Sequence, residues 1–144
     1  MSKLYKQYTL LKIKNPDALY LFECGIFYIF IHDDACLMSN ILDLKLTNLN
    51  SDIKKCGFPI KSADKYLSIL KSLNYNIQII SRNVDSFYTS TNIEHYIAKQ
   101  GYYSIIQDFL NLNIDEISIS KAFDLLYEFQ FRFKQIANNT NFKE

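Results

Sequence analysis

Residues 19–36 read Leu-Tyr-Leu-Phe-Glu-Cys-Gly-Ile-Phe-Tyr-Ile-Phe-Ile-His-Asp-Asp-Ala-Cys, and no other stretch restricts the fold as much. Two runs rich in aromatic and β-branched residues, 18–23 and 26–32, are broken by the single Gly25. Such residues fit a pleated, half-buried surface, and glycine tolerates the turn between two strands. Asp33 then stands where an N-cap belongs, its carboxylate able to accept from the first free N–H groups of a helix ending near Leu42.

The flanking segments extend this pattern. Residues 3–14 place Leu4, Tyr8, Leu11, Leu10 and Ile13 along one helical stripe, which Asn15-Pro16-Asp17 ends because a residue before proline avoids helical torsions. Leu44 to Thr47 alternates like a strand, Asn48 to Asp52 reads as a loop, and Lys55 to Pro59 as a short strand. Ser62 opens a helix carrying Tyr66, Leu67, Leu70 and Leu73, and Asn76 to Ser81 alternates again. This order predicts an α/β (α+β) domain over residues 1–90: a mixed β-sheet with packed helices.

Residues 85–91 fit either an edge strand or a linker. A helical tail, 91–144, is predicted to follow. Asn92 caps a helix running to about Leu110 with a possible break at Gly101, and Ser118 caps a second helix to about Ile136. Ala122, Leu125, Leu126, Phe129, Phe133 and Ile136 share one face of that helix; Phe123, Tyr127 and Phe131 lie on the other side. A helix apolar on two sides needs two partners.

Composition narrows the classes. A chain that is 49% hydrophobic and 15% aromatic can bury a core, so general disorder is excluded. Gly25, Gly57 and Gly101 are the only glycines, and no Gly-x-x-x-x-Gly-Lys-Ser/Thr run occurs, so neither a dinucleotide fingerprint nor a phosphate-cradling loop is present. Cys24, Cys36 and Cys56 lack zinc or disulfide spacing, and His32 and His95 lack metal-ligand spacing. No cofactor, no metal and no catalytic constellation is expected. The absence of a signal peptide or a membrane-length apolar run points to the cytoplasm and to no membrane association. Residues 1–82 hold 11 Lys/Arg against 7 Asp/Glu, and residues 83–144 hold 5 against 8, so any polyanion contact is expected in the front.

The motifs, taken in order, resemble the mismatch-recognition domain of MutS DNA-repair proteins over about residues 4–82. The Gly25-Ile26-Phe27-Tyr28-Ile29-Phe30 run is similar to that family's Gly-Asp-Phe-Tyr-Glu-Leu-Phe, and Asp33-Asp34-Ala35 to its Asp-Asp-Ala. Tyr8 to Leu21, Leu42 to Thr47, Gly57-Phe58-Pro59 and Tyr66-Leu67 resemble the family's neighbouring elements in the same order. Residues 117–128 more weakly resemble the helix at the extreme C-terminus of MutS proteins, which would make this chain the two ends of a MutS without its ATPase, lever and clamp.

The resemblance implies a non-catalytic DNA-binding or DNA-associated accessory protein, carried by a mobile element or paralogous to repair proteins. In the family the Phe enters the minor groove and the Glu hydrogen-bonds the mispaired base. Phe27 stands at the wedge position; the plainer expectation for it is packing in the core, beside Phe22, Tyr28 and Phe30. Ile29 replaces the Glu and cannot bond a base, so mispair discrimination through a carboxylate is lost. The expected DNA contacts are Phe27 and Tyr28, with Lys54, Lys55 and Lys61 on phosphates. The competing expectation is a protein-interaction module in which Ile26, Ile29, Phe123, Tyr127 and Phe131 bind a partner or a second copy.

Overall fold

The structure is a computed structural model, and it describes residues 2–82 and 88–139. Its contacts divide the chain into two compact units, Met1–Ile93 and Glu94–Glu144.

The first unit opens with α1 (Lys3–Lys14), followed by β1 (Leu19–Cys24), β2 (Phe27–Ile31), α2 (His32–Leu42), β3 (Thr47–Asn48) and β4 (Lys54–Pro59). A 3-10 turn, Ile60–Ser62, leads into α3 (Ala63–Ser72), and β5 (Ile77–Arg82) and β6 (Tyr88–Asn92) complete a six-stranded sheet. Strand order is β3-β4-β2-β1-β5-β6. β1 and β5 run parallel and every other neighbouring pair is antiparallel, so the sheet is mixed.

Strand alternation sorts the core into two layers. Tyr20, Phe22, Ile31 and Ile80 face α1, where Tyr8, Ala18 and Ile53 join them and Leu4, Tyr5 and Leu11 close the edge. Leu19, Leu21, Tyr28, Phe30, Cys56, Phe58, Ile77 and Ile79, all buried, face the other way. There α2 and α3 cover them: the Cys56 thiol reaches the Ala35 carbonyl at 3.5 Å, and Phe58 stacks on Tyr66 with centroids 4.6 Å apart. Central strands covered on both sides carry near-continuous apolar runs.

The α1 stripe is narrower than the sequence suggests, because Leu10 and Ile13 are exposed. Of the strand expected over Leu44–Thr47 only a two-residue bridge at Thr47–Asn48 forms, since Asp43 turns the chain with a left-handed φ of 54°. The expected N-cap at Asp33 is also displaced. Helix α2 begins at His32, the N-cap position falls to Ile31 without a side-chain bond, and His32 itself is left-handed at φ 57°. Ser62 makes no cap bond, because the 3-10 turn delivers the chain into α3. An edge strand does form within 85–91, at Tyr88 onward, while residues 85–87 lie outside the described residues.

The second unit holds most of α4 (Ile93–Leu110), a 3-10 turn (Ile114–Glu116) and α5 (Ile119–Asn139). Ser118 caps α5, its hydroxyl accepting from the Lys121 N–H at 3.1 Å. Helix α4 runs through Gly101 without a break. That glycine serves packing instead: a Cβ there would lie 2.8 Å from the Ile136 Cδ1 of α5. Phe109 meets Phe129 edge-on, Tyr102 stacks on Phe133, and Arg132 donates to Asp108 at 2.7 Å.

Candidate nucleic-acid interface

The turn between β1 and β2 is the exposed apolar tip of the sheet. Gly25 takes φ 59°, a left-handed conformation that costs a glycine little and a side-chain-bearing residue more. Ile26 follows at 72% exposure, and Phe27, first residue of β2, is 44% exposed. The register sets Phe27 between Cys24 of β1 and Pro59 of β4. The Ile60 N–H donates to the Ile26 carbonyl at 2.8 Å, so the end of β4 is stitched to the same turn, and Ile60 is 36% exposed beside it. Phe27 therefore projects from the tip and is not a core residue.

Tyr28 is corrected. It is 4% exposed and its ring packs on Phe58 at 5.6 Å, because alternation turns it to the face under α2 and α3. Its side chain cannot reach DNA without unfolding. Ile29 is corrected as a surface contact too. It packs half-buried against the cluster under α1, and its Cγ2 lies 2.8 Å from where a Cβ on Gly57 would stand. Only a glycine fits at position 57, since such a Cβ would also meet the Tyr28 carbonyl oxygen.

The lysines do not converge. Lys61 follows Ile60 at the tip and is exposed. Lys55 pairs with Ile31, at the far end of β4 on the sheet face that carries Phe27, roughly 13 Å from Pro59 at about 3.3 Å per residue. Lys54, also exposed, donates to the Asn48 Oδ1 at 2.7 Å. Of the three, Lys61 is thus the lysine nearest the tip.

Sequence reasoning missed the polar centre of the unit. Asp34 is 2% exposed, and its Oδ1 takes the Lys12 ammonium at 2.7 Å and the Tyr8 hydroxyl at 3.2 Å. Its Oδ2 accepts the Tyr20 N–H at 2.9 Å. Lys12 also donates to the Ala18 carbonyl at 2.6 Å and lies over the rings of Tyr8 and Tyr20. Burial, reinforced by the Asp34 charge, raises the phenol pKa of both Tyr8 and Tyr20. His32 sits edge-on to Tyr5 and Tyr8. The signal was available: Asp34, Met38 and Leu42 share a helical face, and a carboxylate on an apolar face requires a cation.

The three thiols are free, and burial is the leading cause that raises Cys24 and pushes Cys56 up to about 12. Among the described residues no group of three His, Cys, Asp or Glu could hold a metal ion, and no helix is long and apolar enough to cross a membrane. In the second unit Phe123, Tyr127 and Phe131 are exposed on α5. Phe123 and Tyr127 border a groove of about 700 Å³ with Ile106, Phe109, Leu126 and Lys134.

The family model for MutS domain I matches residues 2–107. The chain belongs to the MutS domain I family. The DNA mismatch repair protein MutS of Christiangramia forsetii is 31% identical over 139 residues, which cover 94% of this chain and 15% of that protein. MutS of Rickettsia akari is 38% identical over 82 residues, 54% of this chain and 9% of the relative. MutS of Streptococcus agalactiae is 36% identical over 84 residues, 56% of this chain and 10% of the relative. The chain thus spans between 9% and 15% of the length of these MutS relatives. The α/β architecture expected of a MutS domain I is the one observed, and the matched residues include the whole tip, Gly25 to Phe30 and Gly57 to Lys61.

Proposed function

We propose that this chain is a non-catalytic DNA-binding module of the MutS domain I type, working in the cytoplasm, that presses Phe27 into DNA and holds the backbone through Lys61, with Lys55 and Lys54 further along β4. The observation that carries this reading is Phe27 itself: a 44% exposed phenylalanine at the tip of a sheet, at the position that the sequence resemblance assigns to the family's wedge. Apolar wedges exploit sites where stacking is already weak and the duplex bends at low cost. Ile29 offers no hydrogen bond, so the module binds by shape and deformability rather than by reading a mispair. The non-catalytic part rests on Asp34, Lys12 and Tyr8, which are engaged with one another within the fold. Two lysines on β4 and a third in the 3-10 turn after it imply weak affinity with a modest salt slope.

The test is fluorescence anisotropy with matched, mismatched and branched duplexes at low and physiological salt. Binding that falls with salt and with Phe27→Ala supports the reading; no binding at low salt removes it.

A second reading rests on α5, where Phe129 is the one buried residue and Phe123, Tyr127 and Phe131 stay exposed. In it the helical unit binds a protein partner or a second copy. Sedimentation that stays monomeric at every concentration, with Phe123→Ser and Tyr127→Ser changing nothing, would exclude self-association.

A further inference from the structure

Helix α5 carries two apolar seams, and α4 fills one of them. Phe129 meets Phe109 edge-on there, and the Ile136 Cδ1 closes on Gly101. The second seam runs beside the first. Ile119, Phe123, Leu126, Gln130, Phe133 and Ala137 recur at steps of four, three, four, three and four, the spacing of a coiled-coil stripe, and all six are exposed. Four of them, Phe123 to Phe133, line the groove that Ile106 and Phe109 of α4 also border. Stacking of Phe133 on Tyr102 and the edge-on contact of Phe109 with Phe129 hold the groove walls in place.

A coiled-coil stripe is completed by a helix of the same spacing, and a second copy of α5 supplies one. The size suits such a pairing. Ile106, Phe109, Phe123, Leu126, Tyr127 and Phe133 are 39–72% exposed. At about 200 Å² per large side chain they offer on the order of 600 Å², near the roughly 800 Å² per partner of a standard interface. Charge sets the direction. Among the described residues Lys134 is the only charged one lining the groove, in the C-terminal half of α5, and it joins no ion pair there. The N-terminal half presents Phe123 and Tyr127. Parallel pairing would gather both ammonium groups at one end of the seam. Antiparallel pairing carries each to the aromatic rings of the other copy, whose faces attract a cation. Gln130, the polar member near the middle of the stripe, suits the role of fixing register. We propose that α5 pairs antiparallel with α5 of a second copy, so that two α4–α5 hairpins close into a two-fold symmetric four-helix bundle. This rests on the self-association reading of the helical unit and deepens it by assigning the seam, the partner and the direction.

The test uses the whole chain. Phe123→Ser, Leu126→Ser and the off-seam control Phe131→Ser, all at exposed positions, are first checked for an unchanged thermal midpoint. Sedimentation equilibrium should then show monomer and dimer exchanging with a Kd in roughly the micromolar range. Phe123→Ser and Leu126→Ser should each weaken the dimer at least about tenfold, and Phe131→Ser should change it less than about twofold. Direction is read separately, with a photoreactive benzoylphenylalanine in place of Phe123 in an equal mixture of isotope-labelled and unlabelled chains. Links between copies should fall within residues 130–137. Links between copies that fall around position 123 itself, an assembly larger than a dimer, or a dimer that all three serine variants weaken alike overturns this inference and leaves the self-association reading standing. A chain that stays monomeric at every concentration overturns both.

Discussion

The Lys12 ammonium and the Asp34 carboxylate meet at 2.7 Å inside the fold and tie the end of α1 to the first turn of α2. The bond to the Tyr20 N–H gives this pair its structural role. Tyr20 lies two residues before the Phe22–Ile29 pair, where β2 is giving way to α2 and ladder partners run out. Asp34 supplies the acceptor that the neighbouring strand no longer offers.

Replacing Asp34 by Asn should therefore cost far more than one hydrogen bond. Removal of one partner from a buried ion pair costs about 3–5 kcal/mol, because the other charge is stranded. Urea denaturation followed by far-UV circular dichroism should show the midpoint falling with little change in slope. Converting both residues to apolar ones, Lys12→Met with Asp34→Leu, should lose less than the two single changes together.

Phe27→Ala separates stability from recognition. A fully buried phenylalanine loses about 3–5 kcal/mol on truncation, whereas at 44% exposure Phe27 should lose no more than about 2 kcal/mol. The same variant should lose most of its DNA affinity in anisotropy. A stability loss in the fully buried range would contradict its placement at the tip.

Alkaline pH should destabilise the first unit. Burial leads the upward shift of Cys56, from 9.0 to about 12, and raises the Tyr8 and Tyr20 phenols above 10.0. Below about pH 9 both folded and unfolded chains keep these protons, and the stability is fully present. Above it the unfolded chain ionises first, so stability should fall from about pH 9 upward by up to about 1.4 kcal/mol per pH unit for each group. Denaturation midpoints at pH 7.5, 9.5 and 10.5 would check this, and Tyr8→Phe should flatten the steepest part.

Gly57→Ala should be among the most damaging single methyl additions to the first unit. The new Cβ would meet the Tyr28 carbonyl oxygen and the Ile29 side chain, and backbone cannot swing aside as a side-chain end can. Overpacking of this kind costs about 1–3 kcal/mol. The contrasting Gly101→Ala meets only the end of Ile136, which can shift, and should cost less when both are compared by thermal melting.

The sheet was legible because alternation and turn chemistry agree: the runs flanking Gly25 form β1 and β2, and Lys54–Pro59 and Ile77–Arg82 lie within a residue of where the pattern puts them. Local cues failed where tertiary partners decide. Asp33 has the chemistry of a cap, but the helix starts one residue earlier and its neighbour Asp34 is drawn inward by Lys12. Tyr28 and Phe27 are both aromatic and adjacent, and only the pleat, set by pairing with Phe58 and Pro59, buries one and exposes the other. The nearness of Ile60 to Ile26 was invisible in the sequence because it is a long-range backbone contact.

The parallel pairing of β1 with β5 joins Leu19 to Ile77, with two helices and three strands between them in the chain. Closing so long a loop carries its entropic penalty before any contact repays it. Until residue 82 has been synthesised, the hairpin bearing Phe27 lacks the strand that should flank β1. The chain must therefore emerge with one apolar edge open, and its vulnerable interval during biosynthesis is set by the distance from β1 to β5.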